Sequence, residues 1–451
     1  MVVDMLQFGT DGVRGRVGID LHEADVEQLG AAVAREWPGV AMVIGHDGRE
    51  SGTAWLAAFA NGAAAAGSSV TNAGMVPTPA LALTSQRAGC VGVSITASHN
   101  PWHDNGVKVF APGGRKLLDV EQQNIEAHWH APSTSDARAG TQSKTLPSSA
   151  ASLIATVTPS VRNEYVAALA TGVGVAHFGG QQVMMDCANG ATSEVAPAIA
   201  AALNLRTHVL HAAPTGRNIN DACGATHPAE LAAACAQHRA IGVAFDGDGD
   251  RVIAVDEDGN VVDGDRLIAL AAIDLRARGL LTHNTVVVTS MTNLGFHRAM
   301  REHNITVVTT DVGDRAVLAA MQQGGYVLGG EQSGHIIHAL HATTGDGVLS
   351  AVLLLDLVRR SNTTLATLAS QVMERLPQVL RSVRVTQKPQ DVEVLLSKEL
   401  ARERALLGDN GRIVVRASGT EPVVRIMVEA QTLALAEEVT SRLEQVVLSR
   451  A

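Results

Sequence analysis

Residues 40–74 read VAMVIGHDGRESGTAWLAAFANGAAAAGSSVTNAG. An apolar run of strand length, Val40 to Gly45, meets the polar loop GHDGRESG and then an Ala/Leu-rich helical stretch. A second run, SSVTNAG, follows. Strand, helix and strand at this spacing predict a βαβ unit, because a parallel neighbour can be reached only by a long crossover. The pattern returns twice. QVMMD (Gln182 to Asp186) passes through CANGATS to RTHVL (Arg206 to Leu210), and TVVVTS (Thr285 to Ser290) passes through MTNLG to ITVVTT (Ile305 to Thr310). Three such units predict three related α/β domains. The end of the chain differs: RSVRV and GRIVVRA alternate around a helical stretch, and VVRIMVEA precedes a terminal helix. That predicts a smaller α+β domain.

The length of 451 residues is too great for one core, and 46% apolar content supplies material for several. Ala131 to Thr158 is rich in Ser, Thr, Ala and Pro and reads as a linker. A second break is expected after DGDGDR, and a third near Ser361 to Gln378. The expected division is 1–152, 153–254, 255–370 and 371–451. A formal charge of −10 without a basic run argues against nucleic acid as a partner. Positive charge for an anionic ligand must then be local. The four cysteines form no CxxC pair, which fits a reducing compartment and argues against a disulfide framework or a zinc site. The N-terminus shows no signal-peptide pattern, and the small-apolar stretch Ala54 to Ala66 is too short to span a bilayer. A soluble, cytoplasmic protein without a membrane partner is expected.

Four segments carry chemistry. In GVAFDGDGDR (Gly242 to Arg251), an apolar strand ends on Asp246, Asp248 and Asp250, with glycines between them. At an effective dielectric of 20 and ~4 Å, each like-charged pair costs roughly 4 kcal/mol before relaxation. A divalent cation removes that cost, and all-oxygen ligands suit Mg²⁺ better than zinc. In SITASHNPWHDNGVK (Ser94 to Lys108), an apolar strand runs into Ser98 and His99, where ligands of an open α/β sheet gather. Adjacent serine and histidine side chains point in different directions, so the pair alone is as compatible with a capped loop as with a nucleophile. GGEQSGHII (Gly329 to Ile337) offers Glu331, Ser333 and His335 at alternate positions, groups suited to a polyol, or to a polar hairpin turn. RASGTEPVVRIMVEA (Arg416 to Ala430) combines Arg416, Ser418, Gly419, Thr420 and Arg425, a set that can cradle a phosphate.

FGTDGVRG (Phe8 to Gly15), TASHNP, DGDGDR, GEQSGH and RASGTEP occur in one order across nearly the whole chain. In this the chain resembles the α-D-phosphohexomutase superfamily. DCANGA, DVGDR and TTGDG favour its glucosamine branch over phosphomannomutase/phosphoglucomutase. The resemblance implies three similar mixed-sheet α/β domains and a smaller C-terminal α+β domain around a central cleft. It implies an isomerase that passes phosphate through a phosphoserine at Ser98 and a hexosamine bisphosphate intermediate. Mg²⁺ would be held by the Ser98 phosphate with Asp246, Asp248 and Asp250. Glu331, Ser333 and His335 would grip the phosphosugar hydroxyls, and Arg416, Ser418, Gly419, Thr420 and Arg425 its non-transferring phosphate. Arg14, His99, Lys108 and Arg251 would stand near the reacting group, with Lys108 and His99 as candidates for proton transfer. Families of this kind commonly form a homodimer. Other readings open at this point are a phosphomannomutase/phosphoglucomutase, a phosphatase that loses its phosphoserine to water, and a non-catalytic phosphosugar sensor. One departure stands out: GHDGRESG carries Gly48 where the family usually has threonine, and His46 beside it. This is expected to touch loop structure more than chemistry.

Overall fold

The computed structural model describes residues 8–9, 12–131, 156–175, 177–386, 389, 391–417 and 422–450. Most of the expected first linker lies outside these residues. The first sheet holds β1 (Val13–Arg16), β2 (Met42–His46), β3 (Val70–Met75), β4 (Val91–Ile95), β5 (Asp104–Ala111) and β6 (Arg115–Lys116). The second holds β7 (Gln182–Asp186), β8 (Arg206–Leu210), β9 (Ile241–Phe245), β10 (Val252–Val255) and β11 (Val261–Val262). The third holds β12 (Thr285–Thr289), β13 (Thr306–Thr310), β14 (Leu328–Gly330) and β15 (Ile336–His338).

One topology is repeated. The strand orders contain β3-β2-β4-β5, β8-β7-β9-β10 and β13-β12-β14-β15. In each, the first strand runs parallel to the second and third, and the fourth turns back antiparallel. The three predicted βαβ units are thus real and equivalent. Their buried strands, VGVSI, IGVAF and TVVVT, are wholly apolar or small because helices cover both faces. Hairpin strand β11 carries the second sheet past residue 254, the break expected from sequence. The expected break near Ser361 to Gln378 contains a helix, Leu365–Val372, started by the Thr364 side chain accepting the Thr367 N–H.

The fourth sheet is antiparallel, β16 (Gln378–Arg384), β18 (Val423–Glu429) and β17 (Arg412–Ala417) in that order. The terminal helix Leu433–Arg450 packs on it through Ala436, Val439, Leu443 and Val447. Its core is separate from the large apolar cluster that joins the second and third sheets to Val43, Val76 and Leu81 of the first. The joint to the third unit is polar. Buried Glu429 accepts from Arg412 Nε at 2.8 Å, Leu294 N at 2.9 Å and Gln378 Nε2 at 3.2 Å. Asp265, beside it, accepts from Asn293 N at 2.8 Å. Among the described residues no helix is long and apolar enough to cross a membrane.

Burial, then the neighbouring Asp263, pushes the Asp265 carboxyl up to about 7. Folding therefore favours its protonated form. That stabilisation is complete below the unfolded value of ~4 and is lost as pH rises through the folded value. Asp265→Asn should flatten the decline in stability between about pH 5 and about pH 8 and be the more stable form at the upper end. Denaturant unfolding of both proteins at the two pH values measures this. Identical pH slopes would refute it.

Candidate active site

Three loops meet at the middle of the molecule, and each leaves the same place in its sheet. Ser98 follows β4, Asp246 follows β9 and Glu331 follows β14, always between the third and fourth strands of the repeated pattern. Their backbones, and that of the loop leaving β7, approach closely. Ala191 N donates to Gly247 O at 2.8 Å. A Cβ on Gly190 would stand 2.2 Å from Gly247 O, and one on Gly247 would stand 2.6 Å from Ser98 O. A Cβ on Gly334, whose φ is +90°, would stand 2.1 Å from Val252 O. Glycine is what permits the third loop to rest on the second sheet.

Ser98 is fully buried, and its φ of 53° lies in the left-handed region. For a residue with a side chain that conformation costs on the order of 1–3 kcal/mol and needs over-determination by its surroundings. Four hydrogen bonds supply it. Ser98 N donates to Thr96 Oγ1 at 2.8 Å, and Oγ donates to Asp246 Oδ2 at 2.6 Å. The Ser98 carbonyl accepts from Arg49 at 2.8 Å and from Asn220 Nδ2 at 2.9 Å. His99 Nδ1 lies 3.4 Å from the hydroxyl, so the serine proton meets the aspartate first.

The acidic loop is buried. Asp246, Asp248 and Asp250 are all buried. Lys108 Nζ reaches Asp248 Oδ2 at 2.8 Å and Asp250 Oδ2 at 2.7 Å, and the Thr78 hydroxyl donates to Asp248 Oδ2 at 2.7 Å. His335 Nδ1 stands 3.6 Å from Asp250 Oδ1, and Arg251 Nε 3.7 Å from the same oxygen. The two ends of the loop differ in charge preference. Burial, then Asp250 and Asp248, pushes the Asp246 carboxyl up to about 8. Burial also opposes charge on Asp250, but Lys108 and then His335 outweigh it and hold that carboxyl well below the usual range. Burial, then Arg251 and Arg14, pushes His99 down to about 4, which leaves its ring neutral at neutral pH. The three aspartates fit a metal. Their ligand oxygens all lie within 4.8 Å of one another, and Asp248 Oδ1 and Asp250 Oδ1 are buried without a hydrogen-bond partner.

A cleft of about 580 Å³ opens in front of these loops, within the range of ~300–1,000 Å³ that takes small molecules. Its walls carry Arg14, Ser98, His99 and Lys108 from the first unit, Asp250 and Arg251 from the second, and Glu331, Ser333 and His335 from the third. Asp246 and Asp248 lie behind that wall.

Four family models describe the chain in order. They are phosphoglucomutase/phosphomannomutase alpha/beta/alpha domain I over residues 5–136, domain II over 163–259, domain III over 263–376 and the C-terminal domain over 380–446. Phosphoglucosamine mutase of Frankia casuarinae is 45% identical over 98% of this chain and 97% of its own. The chain belongs to the phosphoglucomutase/phosphomannomutase family. Phosphoglucosamine mutase of Pelotomaculum thermopropionicum is 43% identical over 98% of this chain and 99% of its own. Among solved structures, a phosphoglucomutase/phosphomannomutase family protein from Burkholderia thailandensis shares the fold at a TM-score of 0.77 and 24% identity, covering 97% of this chain and 96% of that one. Aspergillus fumigatus N-acetylphosphoglucosamine mutase, solved with GlcNAc-6P and magnesium, shares the fold at a TM-score of 0.67 and 19% identity over 98% and 96% of the two chains.

In this family member the arginines expected to hold phosphate lie apart from the cleft. Arg416 and Arg425 are directly paired across β17 and β18, and no described residue of the fourth unit is among those lining the cleft. Burial, then Arg425, lowers Arg416 from its ordinary value. Ser418, Gly419 and Thr420 lie outside the described residues.

The sequence reading missed the support of the serine loop. Arg49 has no exposed side-chain surface. Its guanidinium binds Asp47 Oδ2 at 2.8 Å, Asp104 O at 3.0 Å, Ser98 O and Pro101 O. Asp47 Oδ2 also accepts from Thr96 Oγ1 at 2.6 Å. The signal was an aspartate and an arginine flanking one glycine at a strand end. Gly48 itself has a φ of +98°, where threonine would be strained.

Arg49→Lys keeps a charge but cannot span an aspartate and three carbonyls at once. Phosphosugar turnover should fall about 100-fold, the scale of a 1 Å misplacement of a reacting group, with little change in KM. Steady-state kinetics test this, and an unchanged kcat would remove Arg49 from the account.

Proposed function

We propose that this protein interconverts glucosamine 6-phosphate and glucosamine 1-phosphate through a phosphoserine at Ser98 and a bisphosphate intermediate. The observation that carries the reading is Ser98 itself. A strained, buried serine bonds to the three-aspartate loop and faces a cleft whose other wall is the Glu331–His335 turn. Relatives 43–45% identical along nearly their whole length are phosphoglucosamine mutases, which supports the sugar.

In this reading the chain stores phosphate on Ser98 before substrate arrives. A free hydroxyl has no phosphoryl group to give. Asp246, Asp248, Asp250 and the Ser98 phosphate would hold Mg²⁺, which supplies charge neutralisation at the transferring group. Arg14 and Arg251 add fixed positive charge at the same wall. Glu331, Ser333 and His335 orient the sugar hydroxyls. Arg416, Ser418, Gly419, Thr420 and Arg425 hold the phosphate that does not react, which requires the fourth unit to close over the cleft. A sugar hydroxyl attacks the phosphorus, its new O–P bond forms and the Ser98 O–P bond breaks. Neutral His99 is placed to accept the hydroxyl proton, and Lys108 is the other candidate. The bisphosphate turns end over end, and Ser98 takes back the other phosphate. The four units follow the division at 152, 254 and 370, with the second running on to take in β11. The free, buried cysteines support a reducing, cytoplasmic setting. A homodimer is consistent with the family.

Kinetics on glucosamine, glucose and mannose phosphates, side by side, test the sugar. Glucosamine phosphate should give the highest kcat/KM, and a preference for either other sugar would reassign the substrate. Ser98→Ala should lose turnover and the covalent phosphate together, read by activity and intact mass. Activity retained in that variant would sink the mechanism. Asp248→Asn should raise the Mg²⁺ concentration needed for half-maximal rate by tenfold or more, the loss of about 1.4 kcal/mol of binding. An unaltered metal requirement would refute the ligand assignment.

A further inference from the structure

The described residues hold a second group of metal-ligating side chains, away from the three aspartates: Asp186, His211 and Cys223. They come from three neighbouring loops. Asp186 ends β7, His211 follows β8, and Cys223 precedes the short turn Gly224–Thr226. One carboxylate oxygen, the imidazole and the thiol all lie within 4.8 Å of one another. Asp186 and Cys223 are fully buried, and His211 is 22% exposed.

The geometry has the features of a ligand set. His211 Nδ1 stands 3.0 Å from Asp186 Oδ2, yet that nitrogen is buried and makes no hydrogen bond. Its other ring nitrogen, Nε2, stands 3.3 Å from a carboxylate oxygen of Glu230. A metal-bound histidine characteristically gives its outer N–H to a carboxylate, which fixes the tautomer and turns the inner lone pair to the ion. Asp186 Oδ1 and Oδ2 accept the N–H groups of Ala188 and Gly224, both at 2.9 Å, which aims the carboxylate and leaves lone pairs free. Cys223 Sγ receives only a long contact, 3.9 Å, from Asn189 Nδ2.

We propose that Asp186, His211 and Cys223 form a second metal site that takes a borderline-soft divalent cation such as Zn²⁺. One carboxylate, one thiolate and one neutral imidazole balance a 2+ charge, and sulfur and nitrogen donors select against Mg²⁺. This departs from the sequence expectation of no zinc site, which rested on cysteine spacing and does not bear on a site built from a single thiolate. Binding releases the thiol proton to solvent. An ion there ties β7, β8 and the loop through Cys223 together. That loop carries Asn220, whose backbone N–H donates to Ala188 O at 3.0 Å and whose side chain holds the Ser98 carbonyl. The site is therefore a brace behind the serine loop, separate in chemistry from the aspartate triad.

The test uses the full chain, stripped with a chelator and re-saturated with Mg²⁺, then titrated with Co²⁺ and with Zn²⁺. The parent should bind one further equivalent of Co²⁺ per chain and show thiolate-to-cobalt charge-transfer absorption. Cys223→Ala should lose that absorption and His211→Ala the added equivalent, while Asp248→Asn keeps both. Zn²⁺ should raise the Tm of the parent and leave that of His211→Ala unmoved. His211 is partly exposed, so its variant keeps the test available if Cys223→Ala folds poorly; circular dichroism checks both. No charge-transfer band in the parent, or equal uptake by the parent and His211→Ala, would overturn the proposal.

Discussion

Carboxylates crowded in a buried loop cannot keep their charge unless cations are brought to them. Asp246, Asp248 and Asp250 set that condition, and the arrangement of the protein around them answers it. Lys108 comes from the first sheet, Arg251 from the loop itself and His335 from the third unit. His335 is in turn 3.5 Å from Asp314, which pairs with Lys116 of the first unit. The cations that face the loop come from all three units. Buried ion pairs are weak sources of stability, but a missing partner leaves an uncompensated charge that costs several kcal/mol, roughly 3–5. The network therefore acts chiefly to fix how the three sheets sit together.

The repeated topology explains why three sheets can meet this way. Each places its chemical loop between a parallel third strand and an antiparallel fourth. Each also backs that loop with the one leaving its second strand: Arg49 holds the serine loop, Ala191 holds the aspartate loop, and Asn293 and Gln332 share Asp265 behind the Glu331–His335 loop. The chemistry has diverged completely while the architecture has not. Serine, three aspartates and a Glu–Ser–His turn occupy one structural address.

The sheets were legible because the βαβ rhythm depends on local spacing and burial, both written in consecutive residues. The strand-end motifs were legible as motifs, since carboxylates or glycines at alternate positions have few structural uses. Arg49 was not. Its partners are carbonyls of Ser98, Pro101 and Asp104, and backbone atoms leave no mark on the sequence. Asn220 escaped for the same reason, acting across two sheets on a carbonyl. The hairpin β10–β11 was misjudged because DEDGN reads equally well as the end of a unit and as a turn inside one. Adjacency in sequence did not make His99 the partner of Ser98: the aspartate lies at 2.6 Å from the hydroxyl and the imidazole at 3.4 Å.

The facing arginines of the fourth sheet have a thermodynamic consequence. Like charges directly opposite on antiparallel strands oppose the pairing of those strands. Arg416 and Arg425 therefore place a standing electrostatic load on the rung that joins β17 to β18. A dianion lodged between them turns that repulsion into attraction at both guanidinium groups. By linkage, an anion bound there would also stiffen the sheet.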